Sequence, residues 1–304
     1  MPHLRLGTRG SPLALWQAHA VADALRAAHG WGRAAIEIVT VRTTGDKVQD
    51  RALAEIGGKA LWTKELDRAL LDGAIDLAVH SMKDVETFRP PEIAIAAMLP
   101  RADVRDRLIG AESLAALPPD PRVGTSSPRR AAQVRRARPD ARIELFRGNV
   151  DTRLRKLAEG AVDATLLAAA GLDRLGRGHI GTALPLDGML PAPAQGAVGI
   201  EARAGDDRTR ALLAAIDHAP TSACVHAERA FLAGLSAGCH SPVAALAEPD
   251  GTMLRLRVEI LSEDGALSES GEASLAPGDA AVPVALARTL LDRAPDALRR
   301  LFAA

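Results

Sequence analysis

The sequence predicts an α/β fold with two similar α/β domains around a cleft and a small α+β C-terminal domain. The first observation is a largely apolar run at residues 75–79, which is typical of a buried parallel strand. The second is a repeat: residues 70–76 match residues 157–163, 87 positions later, and both look like helix ends with a capping glycine before a strand. In addition, residues 7–12 resemble residues 124–128. Two matches in corresponding order favour sister domains over a chance resemblance.

Local signals place the elements of the first domain. Ser11 is a typical N-cap and Pro12 suits the first helical position, so a helix is expected to begin there. The predicted order is a strand at 4–8, this helix to about residue 30, a strand at 36–43, a long loop at 44–60, a helix at 61–71 and the strand that starts at 75.

The remaining sequence predicts the second and third domains. Segment 93–103 is interpreted as a crossover, the proline-rich segment 185–194 as a return hinge, and 196–201 as a strand that rejoins the first sheet. The other predicted elements are strands at 122–124, 143–146 and 164–168, then a helix at 222–235, strands at 243–247, 253–261 and 266–273, and a helix at 282–301. The predicted domains are residues 1–99 plus 197–217, residues 102–193, and residues 218–304.

Composition argues against several classes of protein. The formal net charge is zero and aromatic residues make up 2% of the chain, which disfavours nucleic-acid binding through a basic surface or through base stacking. No apolar run reaches the roughly 18 residues of a membrane span, and the N-terminal residues lack a signal-peptide pattern. Two cysteines in 304 residues fit a reducing compartment. We therefore expect a cytoplasmic enzyme or binding protein.

Arginines at helix starts and strand ends predict an anionic ligand. Ser127-Pro128 resembles an N-cap and a first helical position, and Arg129 and Arg130 follow in the first turn. Cations there oppose the helix dipole, and an anion between the guanidinium groups and the free backbone amides would stabilise them. Further arginines at comparable places are Arg9, Arg147, Arg153 and Arg174. The expected ligand is multidentate and carries phosphates or several carboxylates.

Two other stretches contain candidate chemical groups. Residues 80–84 (HSMKD) follow a predicted strand at its C-terminal end, where open α/β sheets bind ligands. Cys239 lies in a tight loop at 237–242, where a thiolate would be accessible for covalent attachment. Cys224 lies in a helical pattern and is expected in the core. The sequence contains no Walker A loop, strand-linked GxGxxG, HExxH or Cys/His cluster, so neither a nucleotide nor a metal is expected.

Several of these stretches closely resemble the porphobilinogen deaminase family. They are TRGSPLALWQA at 8–18, HSMKD at 80–84, GTSS at 124–127, RGNV at 147–150, QGA at 195–197 and GC at 238–239. The resemblance runs in order along nearly the whole chain. It is highly specific through residue 201 and looser in the third domain, apart from the cysteine loop.

The resemblance implies a reaction and a cofactor. The family joins four porphobilinogen molecules head to tail, with release of ammonia, to make hydroxymethylbilane in tetrapyrrole synthesis. A dipyrromethane cofactor is held by a thioether to the loop cysteine, here Cys239. Asp84 is then expected to stabilise the cationic pyrrole intermediate electrostatically and to help move protons.

The resemblance also implies binding roles for the remaining site residues. The cofactor set is Ser81, Lys83, Thr125, Ser127, Arg129, Arg130 and Arg153. The substrate set is Arg9, Ser11, Gln17, Arg147, Arg174 and Gln195. Lys59 would lie in a lid loop. The family expectation is a monomer without a metal, a nucleic acid or a membrane as partner. Pro128, Glu86 and His240-Ser241 depart from common family patterns.

Two other classes of protein are considered. Two α/β domains around a cleft also suit periplasmic-type binding proteins, so a non-catalytic binder of a polycarboxylate solute is the main alternative. Such a binder needs neither Asp84 nor an accessible Cys239, and it would normally carry an export signal. An arginine-rich transcriptional or RNA-binding protein is disfavoured by the neutral charge and the scarcity of aromatic residues.

Overall fold

A computed structural model describes residues 3–41, 63–238 and 240–302 of the chain. The strands are β1 Leu4–Thr8, β2 Ile36–Thr40, β3 Leu77–Ser81, β4 Ile93–Met98, β5 Asp106–Ile109, β6 Arg122–Thr125, β7 Arg142–Leu145, β8 Ala164–Ala168, β9 Thr182–Ala183, β10 Val198–Arg203, β11 Val243–Asp250, β12 Met253–Leu261 and β13 Ser268–Leu275. The helices are α1 Pro12–His29, α2 Lys64–Leu71, α3 Pro128–Ala137, α4 Val150–Ala158, α5 Ala169–Arg174, α6 Asp207–Ala214, α7 Ala219–Gly234, α8 Ala281–Arg293 and α9 Asp296–Arg299.

The described residues form two compact units. One contains residues up to 41, 63–102 and 196–222, and the other contains residues 103–195 and the chain from 223 onward. The loop predicted at 44–60 and the attachment residue Cys239 lie outside the described residues. No described helix is both long enough and apolar enough to cross a membrane.

The first unit is built on a five-stranded sheet in the order β2-β1-β3-β10-β4. Strands β1, β2 and β3 are parallel, whereas β10 runs antiparallel to both β3 and β4. The predicted strand at 196–201 therefore does rejoin the first sheet, as β10. Helix α1 contributes Val21 and Leu25 to a core with Leu6, Leu77 and Ile200.

The second unit contains a sheet of the same design, in the order β7-β6-β8-β5-β9. Strands β6, β7 and β8 are parallel and β5 is antiparallel to its neighbours, as β10 is in the first sheet. Gly7 in β1 and Gly124 in β6 hold corresponding places. A Cβ atom would come within 2.3 Å of Ile75 in one sheet and 2.6 Å of Phe146 in the other. The prediction of two similar α/β domains is confirmed.

The remainder of the second unit is a three-stranded antiparallel sheet, β11-β12-β13, with α7 and α8 packed on it. The third domain is thus α+β, as predicted. The single helix predicted at 282–301 is wrong, because Pro295 divides it into α8 and α9. Ala294, the residue before this proline, is extended with ψ 138°.

The segment predicted as a crossover, 93–103, contains a strand, and a second strand that was not predicted follows it. Residues 93–98 form β4 at the edge of the first sheet, and Asp106–Ile109 form β5 in the second. Strand β5 was not predicted because its sequence does not look like a buried strand: three charged residues in a row stand at its start, Arg105, Asp106 and Arg107. Each sheet lies within one of the three predicted domain ranges, while the boundaries themselves stay a prediction.

Candidate functional site

In the first unit, polar residues follow two neighbouring parallel strands. Arg9 comes directly after β1 and Ser81 ends β3, so both lie at the same edge of the sheet. Ser11 caps α1, as predicted, because its hydroxyl accepts a hydrogen bond from the Ala14 amide at 3.3 Å. Gln17, buried in α1, donates to Ser81 Oγ at 2.8 Å. The structure thus brings four residues of the predicted substrate and cofactor sets to this edge.

Asp84 and Lys83 lie in the short 3₁₀ turn Met82–Asp84 that follows β3. The turn is fixed by the hydrogen bond from Val85 N to Met82 O at 3.2 Å and by the burial of Met82. Both Asp84 and Lys83 are half-buried. Asp84 forms no hydrogen bond or ion pair with another described residue. Its carboxylate can therefore pair with a bound cation or accept a hydrogen bond from an N–H group of a ligand.

In the second unit, the corresponding edge carries the second set of predicted site residues. Thr125 ends β6 and its hydroxyl accepts from the Ser127 amide at 3.1 Å, and Ser127 in turn caps α3. Arg147 follows β7 and is buried. Arg153 in α4 donates to Gly148 O at 2.9 Å and lies 3.4 Å from Ser126 Oγ. Strands β6, β7 and β8 are parallel neighbours, so these side chains share one edge of the sheet.

Arg129 and Arg130 correct one step of the sequence argument. Both side chains are buried, and each donates to the fully buried carboxylate of Asp106 in β5 at 2.7 Å. The chain itself therefore supplies the anion that the arginines in the first turn of α3 were inferred to need from a ligand. Two guanidinium groups against one carboxylate still leave a positive charge. A role of the pair in binding cofactor carboxylates stays a prediction.

The cluster around Asp106 also contains Gln195, whose amide nitrogen donates to Asp106 Oδ1 at 2.9 Å and to Val104 O at 2.7 Å. Burial alone would raise the pKa of Asp106, but Arg129 and Arg130 hold it well below its usual range. The Asp106 carboxylate is therefore ionised at neutral pH. Nothing in the sequence singled out this residue, since one aspartate among alternating charges has no motif.

The remaining predicted residues are distributed as follows. Arg174 is the last residue of α5, after β8, and burial lowers its pKa although Asp173 opposes this effect. The loop before β11 is closed by hydrogen bonds between Ser241 and Gly238 in both directions, at 3.0 and 3.3 Å. Cys224 is buried in the third-domain core, as predicted. Lys59 and Cys239 lie outside the described residues.

Each of the two sheet edges, taken by itself, carries guanidinium, hydroxyl and helix-start N–H donors, which is donor chemistry suited to an anionic ligand. Family profiles match almost all of the chain: residues 4–211 match the dipyrromethane cofactor binding domain of porphobilinogen deaminase, and residues 222–292 match its C-terminal domain. The chain is therefore a transferase with a dipyrromethane-binding domain. It belongs to the porphobilinogen deaminase family, as its resemblance predicted.

Individual relatives agree with this assignment. Porphobilinogen deaminase of Sphingopyxis alaskensis is 60% identical over 99% of this chain and 96% of its own length. That of Paracoccus denitrificans is 51% identical over 96% of this chain and 95% of its own. Among solved structures, a ligand binding component of an ABC-type import system from Staphylococcus aureus covers 78% of this chain and 75% of its own. At 14% identity and a TM-score of 0.40, that likeness is too weak to bear on the fold.

Proposed function

We propose that the protein is a hydroxymethylbilane synthase that condenses four porphobilinogen molecules head to tail and releases ammonia at each addition. The family defines the substrate and the cofactor domain. The observation that carries the mechanism is the Asp84 carboxylate, held half-buried at the end of β3 without a partner among the described residues. The solute-binding alternative leaves this carboxylate without a role.

Asp84 would act on the substrate when the C–N bond of the aminomethyl group breaks: the nitrogen leaves as ammonia and the methylene carbon stays on the pyrrole. The pyrrole then becomes a cation with acidic N–H groups, and a fixed carboxylate nearby lowers the free energy of that charge. The turn holds Asp84 in advance, so little reorganisation is needed as the charge develops. The same carboxylate can accept a proton when the pyrrole ring regains its aromaticity after the new bond has formed.

The donor set of the second unit fits the dipyrromethane chemically. Its acetate and propionate groups need several cationic and hydroxyl donors. The Nε atoms of Arg129 and Arg130 are buried without a hydrogen-bond partner in the described structure. Thr125, Ser127 and Arg153 add donors at the same edge. We assign these five residues to the cofactor, with Ser81 and Lys83 from the first unit.

The incoming pyrrole would be bound by a separate set. It consists of Arg9, Ser11, Gln17, Arg147, Arg174 and Gln195. When bound, the dipyrromethane supplies the primer to which the pyrroles are added. We further propose a monomeric cytoplasmic enzyme that uses no metal.

Attachment of the cofactor at Cys239 can be tested by intact-mass spectrometry. The purified active protein should be heavier than its sequence by one covalent dipyrromethane, and Cys239→Ser should have the bare mass and no turnover. The matched control is Cys224→Ser, which changes the other cysteine, buried in the third-domain core. This control should keep the added mass. Active wild-type protein with the bare mass would refute the attachment.

A further inference from the structure

Arg89 lies in the segment between the Asp84 turn and β4, and its side chain is only 8% exposed. Its Nε and Nη2 atoms donate to the two carboxylate oxygens of Glu201 at 2.8 Å each. Nη1 donates to Glu86 at 2.8 Å, and Nη2 also donates to Asp67 at 2.5 Å. One buried guanidinium group is thus bonded to three carboxylates, which come from α2, β10 and the segment after Asp84.

Glu201 connects this cluster to the strand that precedes the turn. It is fully buried in β10, and its Oε2 atom lies 3.2 Å from His80 Nε2 in β3. Burial would raise the pKa of Glu201, but His80 and Arg89 lower it to about 2. Burial would lower the pKa of Arg89, but Asp67 and Glu201 raise it. Glu201 and Arg89 therefore remain ionised at neutral pH.

Through these contacts Glu201 holds both ends of the segment 80–89, which carries Asp84. Residue 80 before the turn and residue 89 after it both contact Glu201, so the residues between them form a short arc with fixed ends. Glu86, two residues beyond Asp84, is held by Arg89 and by Thr63 Oγ1, each at 2.8 Å. Asp84 itself has no described partner that could fix its side chain. Its position therefore depends on the backbone of this arc.

We infer that Arg89 is a positioning residue for Asp84. The hydrogen bonds from its guanidinium group to Glu201, Glu86 and Asp67 fix the backbone conformation of residues 82–88, and this conformation determines where the Asp84 carboxylate lies. This inference rests on the proposed function. It also gives Glu86 a role, since the departure from common family patterns at that position provides an acceptor for Arg89. Lysine cannot replace Arg89, because an ammonium group lacks the planar bidentate geometry of a guanidinium group.

The test compares Arg89→Lys with the control Arg68→Lys, which changes an 84% exposed arginine in α2 of the same unit. With cofactor-loaded protein, Arg89→Lys should lower kcat for porphobilinogen by on the order of 10-fold with little change in KM, because a small displacement of a catalytic group mainly costs rate. Amide hydrogen exchange in residues 82–88 should become faster. Arg68→Lys should change neither kcat nor the exchange rate of residues 82–88.

A double-mutant cycle separates positioning from general support of the fold. In an Asp84→Asn background, Arg89→Lys should change the residual rate by less than about twofold, because coupled residues do not contribute independently. An equal loss of rate in both backgrounds would overturn the inference, and so would an unchanged kcat in folded Arg89→Lys protein. If Arg89→Lys does not fold, Glu86→Gln is the milder variant, because it removes the charge of only one of the three carboxylates around Arg89. It should lower kcat in the same direction, and an unchanged kcat would overturn the inference. Wild-type protein inactive on porphobilinogen would instead refute the proposed function, while the exchange measurement would still test whether Arg89 fixes the backbone of residues 82–88.

Discussion

Replacing Asp84 by Asn is expected to lower kcat for porphobilinogen by about 10²–10³-fold, the usual effect of removing one preorganised electrostatic group from an active site. Asparagine has nearly the same shape and keeps a carbonyl oxygen, but it carries no negative charge to stabilise a cationic pyrrole. Because Asp84 has no ion pair with a described residue, its loss should leave the fold intact. Steady-state kinetics with cofactor-loaded protein measure the effect directly.

Two further variants make this test specific. Asp84→Glu keeps the charge but displaces it by one methylene group, so it should retain more activity than Asp84→Asn. Asp72→Asn removes a carboxylate that is 66% exposed at the C-terminal end of α2, in the same unit, and should have normal kinetics. The electrostatic role is wrong if Asp84→Asn turns over at a rate near that of the wild type, or if its loss is accounted for by absence of the cofactor in the intact mass.

Features determined by nearby residues could be predicted from the sequence. Ser11-Pro12 and Ser127-Pro128 begin α1 and α3 as expected, because capping depends on a side chain and the amide three positions later. The strand at 196–201 was recognisable by its pattern. The position of HSMKD at the end of β3 followed from the change from apolar to polar residues. Local chemistry was sufficient in these cases.

Interactions between distant residues could not be predicted in the same way. Arg89 and Glu201 are 112 positions apart, and Asp106 and Gln195 are 89 positions apart. A charged residue in a sequence looks the same whether it is solvated or buried against a partner from another strand. Arg129 and Arg130 illustrate the consequence: their place in the helix was predicted correctly, but their internal counter-ion was not.

Replacing Asp106 by Asn is expected to destabilise the second unit by about 3–5 kcal/mol, because removing one partner of a buried ion cluster leaves the other charges uncompensated. Arg129 and Arg130 would then face each other without a carboxylate, and the bond from the Gln195 amide to Asp106 would be weakened. Urea unfolding at neutral pH measures the free energy of unfolding. The control is Asp140→Asn, which breaks a surface pair with Arg138 in the same unit and should cost much less.

Acid dependence gives an independent check on the Asp106 cluster. The pKa of Asp106 is lower in the folded protein than in the unfolded chain. The stability that the ionised carboxylate contributes is therefore present above the pKa of the unfolded chain, about 4, and is lost as the pH falls towards the pKa of the folded protein. Wild-type stability should therefore decrease below about pH 4 more steeply than that of Asp106→Asn, which has already lost this contribution. The assignment of Asp106 as the counter-ion would be contradicted if stability fell with pH equally in the wild type and in Asp106→Asn. It would also be contradicted if, at neutral pH, Asp106→Asn lost no more free energy of unfolding than Asp140→Asn.

Asp106→Asn should also bind the dipyrromethane poorly if Arg129 and Arg130 hold its carboxylates, because both side chains would lose the carboxylate that orients them.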